Sequence, residues 1–240
     1  MRKRRVPDGF VALLCFLAGF VPAAFAEQLP VRSYTSVDGL GSSFVNALMR
    51  DSRGFLWVCT RDGLSRFDGS RFVTYQVGDK NAPPGIEQIL ETRNGIYWIV
   101  TTGGLYRFDP NAPVPASKLN SDARPTLNAQ FVSNERGLLF EDHAGQLWAG
   151  GSSFYRVHDS DEKVSFEPVD LNLPNPSVAL GIASIAEGKD GRLLLWNDDG
   201  QVVTLTAPSR NSANDQRFLA LVERTIPDGE IARASCRERV

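Results

Sequence analysis

The chain is poor in the residues that most often carry chemistry. Among its 240 residues are three cysteines, two histidines and two methionines. Cys15 lies in an apolar N-terminal run, Cys236 near the C-terminus and Cys59 inside a strand-like segment, so neither a disulfide framework nor metal-ligand spacing is present. In a strand, Cys59 is expected to be a buried, inert thiol. His143 falls in a turn and His158 follows a strand, and neither has the helical surroundings of a phosphoacceptor histidine. There is no P-loop, no GxSxG and no HExxH. The formal charge is −2, which excludes the basic footprint of a nucleic-acid binder. Helical periodicity of useful length is missing beyond the N-terminal run. That run, Phe10 to Val21, is shorter than the roughly 20 apolar residues of a membrane span.

Its flanks give the N-terminal run another meaning. Arg2-Lys3-Arg4-Arg5 is a basic n-region, and Ala24-Phe25-Ala26 fits the small-x-small cleavage rule. Residues 1–26 are therefore expected to be a signal peptide, with Glu27 as the mature N-terminus and the periplasm as destination. No small residue directly precedes Cys15, which argues against a lipoprotein site.

What the chain has in quantity is aromatics and glycine: 14 Phe, four Trp and 21 Gly. They fall in a repeated unit. Residues 43–75 read as four short strands, Phe44 to Met49, Phe55 to Thr60, Leu64 to Phe67 and Phe72 to Tyr75. The first turn, Asp51-Ser52-Arg53-Gly54, combines an Asp that bonds the backbone two residues on with a Gly that accepts positive φ. Asn94-Gly95-Ile96-Tyr97-Trp98 and Thr101 to Asp109 repeat this unit. So do Asp142 to Trp148 with Phe154 to Val157, and more faintly Asp190 to Leu194 with Gly200. The turn glycines 54, 95, 145 and 191 are 41, 50 and 46 residues apart, the spacing of four-stranded propeller blades. Trp196 is displaced by two residues from the series Trp57, Trp98, Trp148, which keeps it on the same strand face.

The expectation is an all-β fold: an incomplete β-propeller of about four four-stranded blades after a signal peptide. It occupies residues 27–229, with blades near 43–84, 85–136, 137–177 and 178–223. Val31 to Thr35 reads as a strand of the kind that completes a last blade. Pro110 to Arg136, with four prolines, is read as the outer strand of the second blade plus an insertion. Gly181 to Ala186, Gln201 to Thr206 and Phe218 to Val222 are read as fourth-blade strands. Residues 230–240 abandon the pattern and are read as a non-native tail.

Gly39-Leu40 followed by Asp51 to Gly69 resembles the two-component regulator propeller repeat. The likeness is close in the first two blades and faint in the fourth. It implies the periplasmic sensor region of a bacterial hybrid histidine kinase, an N-terminal fragment ending before the transmembrane and kinase regions. It also implies a homodimer in the full-length receptor, contact with the membrane only through that downstream region, and no enzymatic activity of the fragment itself. On its own, an unclosed ring is expected to be poorly soluble.

The recurring acids Asp51, Asp62, Asp68, Asp109 and Asp142 are read chiefly as turn chemistry, and the tryptophans as packing between blades. Better ligand candidates are loops that differ between blades: Arg61 and Asp62, Thr101 and Thr102, Ser152 and Ser153, Asn197 and Asp198, with Leu40 to Ser43 nearby. In propellers these loops open on the face of the blade-to-blade crossings, where a polar small molecule or glycan can be hydrogen-bonded. No cofactor, metal or nucleic acid is expected. The alternatives are a stand-alone periplasmic propeller that binds a partner or glycan, and a propeller lyase. The lyase would need a His–Glu acid/base pair in the ring.

Overall fold

The computed structural model describes residues 31–79, 81–112, 125–134, 137–160, 163–171, 181–198, 200–206 and 219–225. The expected signal peptide with Cys15, and the tail with Cys236, lie outside the described residues. The chain divides into Met1–Ser33 and Tyr34–Val240. Of the first unit only Val31 to Ser33 are described, irregular and exposed. The second unit holds every described strand.

Apart from one 3-10 turn (Ser36–Asp38), its described regular elements are strands. The first sheet is an antiparallel meander of β1 (Val45–Arg50), β2 (Leu56–Thr60), β3 (Gly63–Phe67) and β4 (Phe72–Val77). The second joins β5 (Ile86–Glu91), β6 (Tyr97–Thr101) and β7 (Gly104–Phe108). Before its fourth strand the chain forms β8 (Thr126–Leu127), then β9 (Gln130–Ser133), which pairs with β7. The third is β10 (Leu138–Glu141), β11 (Leu147–Gly150), β12 (Phe154–Asp159) and β13 (Val164–Pro168). The fourth is β14 (Ile182–Glu187), β15 (Leu193–Asn197), β16 (Gln201–Thr206) and β17 (Leu219–Thr225).

The sheets pack face to face in chain order, because each second strand is apolar on both sides. Trp57, Cys59 and Leu64 of the first sheet meet Ile86, Ile89, Tyr97 and Ile99 of the second. Trp98, Val100 and Leu105 meet Leu139, Leu147, Ala149 and Val157. Trp148 and Phe154 meet Ile182, Leu193, Leu195, Val203 and Leu205. The three indoles that point at a following sheet are at most 4% exposed. The first strands adjoin in succession, β1 beside β5, β5 beside β10 and β10 beside β14. Side-chain amides tie them: Asn46 donates to the Ile86 carbonyl at 2.7 Å, and Gln88 exchanges two 2.8 Å bonds with the Leu139 backbone. First strands gathered and faces stacked are the arrangement of propeller blades.

Two segments differ from the sequence expectation. Val31 to Thr35 forms no strand. Thr35 instead caps the 3-10 turn, with Asp38 bonding back to its N–H at 2.8 Å. Tyr34 packs 5.3 Å from both Phe67 and Phe72. Local capping and an aromatic dock outcompete an extended strand here. The Pro110 to Arg136 region does supply the second sheet's outer strand, but it first reaches back. β8 pairs parallel with β4, and Gln76 N–H bonds the Pro125 carbonyl at 3.0 Å. The last described strand runs past the expected Val222, to Thr225.

Candidate functional site

The recurring acids are turn chemistry with a second duty. Asp51 Oδ1 accepts from the Arg53 and Phe55 N–H groups at 3.0 and 2.8 Å. Its Oδ2 accepts from the Trp57 indole at 2.8 Å and from the Tyr97 hydroxyl of the next sheet at 2.9 Å. Burial pushes this carboxyl up, but those donors and the nearby Arg53 charge outweigh it and hold it below the usual aspartate value. Asp142 repeats the arrangement, bonding Ala144 and Gln146 N–H and the Trp148 indole at 2.9 Å. In the second sheet the position is Thr92, and the Trp98 indole N–H is buried without a partner. In the fourth it is Gly188, and the indole position is Leu194.

In the second, third and fourth sheets the residue just before the turn reaches back to the preceding sheet. Glu91 accepts from Ser52 N–H and Oγ, both at 2.6 Å. Glu141 accepts from Arg93 N–H at 3.0 Å. Glu187 accepts from His143 N–H at 2.8 Å and also contacts its ring. The alignment of copies contains this Glu series at positions 91, 141 and 187, but alternation within one strand gives no hint that it crosses to another sheet.

The β2–β3, β6–β7, β11–β12 and β15–β16 loops lie at the opposite strand ends from these turns, beside the crossings between sheets. Gly63 N–H bonds the Pro84 carbonyl at 3.0 Å, Thr102 N–H the Gly85 carbonyl at 2.9 Å, Ile182 N–H the Gly151 carbonyl at 2.9 Å and Asp198 N–H the Gly181 carbonyl at 2.9 Å. Gly41 belongs to this end. A Cβ there would sit 2.8 Å from both the Asp62 carbonyl oxygen and Thr60 Oγ1, so only glycine fits. Its N–H donates to Ser65 Oγ at 2.9 Å.

The eight candidates are not equivalent. Arg61 is exposed, its guanidinium 3.6 Å over the Phe44 ring. Thr102, Ser152 and Asp198 are exposed, and Asp62, Ser153 and Asn197 are half-buried. Asn197 is committed to the β15–β16 loop, bonding Gln201 N–H at 2.7 Å. Thr101, proposed from the sequence as a ligand-contacting residue, has its side chain turned into its own hairpin. It is 1% exposed, and its hydroxyl donates to the Gly104 carbonyl at 2.9 Å and accepts from Gly103 N–H at 3.1 Å. Thr60 does the same in the first sheet, donating to Gly63 and accepting from Asp62. Ser153 lines a cavity of about 10 Å³, room for one water at most.

Cys59 is fully buried, and burial pushes its thiol up to about 12, so it stays protonated. His143 meets Glu187 at the turn end of the sheets, away from the crossings. His158 meets Glu167 at 2.9 Å on the outer strands of the third sheet. Among the described residues no group of three or more His, Cys, Asp or Glu side chains is placed to hold a metal ion.

The fold defines a class, the all-β propellers. The chain is similar to the extracellular domain of the hybrid two component system BT4673 from B. thetaiotaomicron, with a TM-score of 0.54 and 16% identity, over 78% of this chain and 25% of that one. It is also similar to catalytically inactive virginiamycin B lyase from Staphylococcus aureus with quinupristin, with a TM-score of 0.51 and 14% identity, over 82% and 59% of the two chains. At such identities the likeness is one of fold. Within the class, residues 39–62 match the family model described as the two component regulator propeller. A stretch of 66 residues is 42% identical to histidine kinase P4 of Formosa agariphila, which is 28% of this chain and 5% of that protein. The chain thus spans a small part of that curated relative.

Proposed function

We propose that the chain is the ligand-sensing propeller of a bacterial hybrid sensor histidine kinase, exported to the periplasm, with signal output supplied by a downstream membrane and kinase region. The observation that carries this is the regulator propeller repeat at residues 39–62, within a chain that shares 42% identity with a histidine kinase over 66 residues. The ligand is a polar small molecule or glycan. It is held at the crossing end by Arg61, Asp62, Thr102, Ser152 and Asp198, with Asn197 and Ser153 shaping the loops. Binding biases the packing of neighbouring blades or the geometry of a receptor homodimer, and that bias is what reaches the kinase. The fragment binds and does not catalyse. Its His143–Glu187 pair is a sheet-to-sheet tie at the turn end, and His158–Glu167 lies on outer strands, so neither pair faces the loops.

Two measurements test the reading. The gene read past codon 240 should encode a membrane span and an ATP-binding kinase module, and a propeller followed directly by a stop would end it. A panel of oligosaccharides screened by thermal shift should give a saturable rise in melting temperature that Arg61→Ala and Thr102→Ala remove. A shift insensitive to both substitutions places the ligand elsewhere.

A further inference from the structure

The third-strand arginines Arg66, Arg107 and Arg156 each stand opposite the tryptophan of the second strand. Two of them have a carboxylate. Arg107 Nε bonds both oxygens of Asp159 on the next sheet, at 2.8 and 3.1 Å, and Arg156 lies 3.5 Å from Glu167. Arg66 differs. Its guanidinium carbon lies 4.5 Å from the Phe55 ring centroid, 5.7 Å from Tyr75 and 5.9 Å from Trp57, and its Nε is buried without a hydrogen-bond partner. A buried donor left unmade costs free energy, more so when charged.

The missing acid has an address. Asp159 stands three residues beyond Arg156, and the residue three beyond Arg107 is Pro110. Pro110 lines a cavity of about 230 Å³ that also receives Arg66, Arg53, Trp57, Tyr75 and Phe108 and is closed on one side by β8. Among the described residues no carboxylate lines it. Arg53 is held there by the Tyr97 hydroxyl at 3.0 Å, and Asp51, 4.0 Å from Arg53, has its oxygens taken by four other donors. A cavity of about 150 Å³ takes a benzene ring, so this one has room for a six-membered ring with a substituent.

The geometry points to a binding site for a small carboxylate carried on a single six-membered ring, lodged between the first two sheets under β8. The ligand carboxylate takes the place that Asp159 fills at the next junction, against Arg66 and Arg53. Its ring lies among Trp57, Tyr75 and Phe108. This site is on the outer side of the sheets and is separate from the crossing-end loops.

The test titrates the full chain with galacturonate, benzoate, glucose and inorganic sulfate, followed by calorimetry and by tryptophan fluorescence. One of the two ring acids should bind saturably, and which one does distinguishes a sugar acid from an aromatic acid. Glucose should not bind, and sulfate should bind at least tenfold more weakly. Arg66→Met, which keeps the packing stem, should weaken binding about tenfold or more. Pro110→Asp should abolish it while raising the melting temperature, because the chain then supplies its own carboxylate. No saturable binding by either ring acid up to about 10 mM, or binding unchanged in both variants, overturns the proposal. Sulfate binding as tight as the ring acids removes the role of the aromatic wall and overturns it as well.

Discussion

At the scale of single residues, the Asp of the first hairpin turn does more than shape the turn. Asp51 is 5% exposed and serves two backbone donors, one indole and one hydroxyl from the next sheet. Removing it strands buried donors that cost about 1–3 kcal/mol each. Asp51→Ala should therefore lower unfolding stability by about 3 kcal/mol in a urea titration. Because the carboxyl is held below its ordinary value, the unfolded chain binds the extra proton on acidification. This stabilisation is complete above the unfolded value near pH 4 and is lost as pH falls through the lower folded value. In Asp51→Asn that acid-dependent part of the stability should disappear, and an unchanged acid profile would contradict the network. The Trp98 indole makes the reverse case. Thr92→Asp should give it the missing acceptor and raise stability by about 1 kcal/mol. Asp142 already sits between Glu141 and His143 in the same setting, so the added charge has a precedent in this chain. A fall in the urea midpoint would show that the orphaned N–H is not what limits that junction. The turn role of these acids was legible from Asp-x-x-Gly, but the indole cap was not. It depends on how a side chain six residues away folds back over the hairpin.

At the scale of elements, each junction is fastened twice. Apolar second strands pack face to face, and a glutamate before the turn of one sheet clasps the turn of the sheet before it. The clasp is a charge-assisted bond at partly exposed sites, so its worth is modest. Glu91→Ala should cost about 1 kcal/mol. A double-mutant cycle with Ser52→Ala should show coupling of about 0.5 kcal/mol or more, and strict additivity would mean that the two residues act independently. The strand-by-strand reading was good because period, turn glycine and aromatic content agree within each unit. It missed β8 because two residues carry no period, and because their partner β4 lies some 50 positions earlier in the chain. It misread Val31 to Thr35 for the converse reason. That segment has β-branched and aromatic residues of strand type, yet a Thr–Asp cap and a ring-on-ring dock fix it otherwise.

At the scale of the whole molecule, the sheets follow one another in register. Leu194 and Trp196 therefore fall on the far face of the fourth sheet, away from the third. Trp196 is half-buried, whereas Trp57, Trp98 and Trp148 are enclosed. Acrylamide should quench one quarter of the indoles readily, and Trp196→Phe should remove that accessible fraction while leaving the protected emission. Uniform quenching of all four would mean that the three junctions are not closed. The order of strands, the spacing of units and the inward indoles were determined by the sequence itself, since each follows from short-range periodicity and turn chemistry. Only the tertiary structure decided which polar groups meet across sheets. Tyr97 reached Asp51, Glu91 reached Ser52, and Pro110 stands where the next junction has a carboxylate, because those meetings join residues roughly 40 to 50 positions apart and no local pattern encodes them.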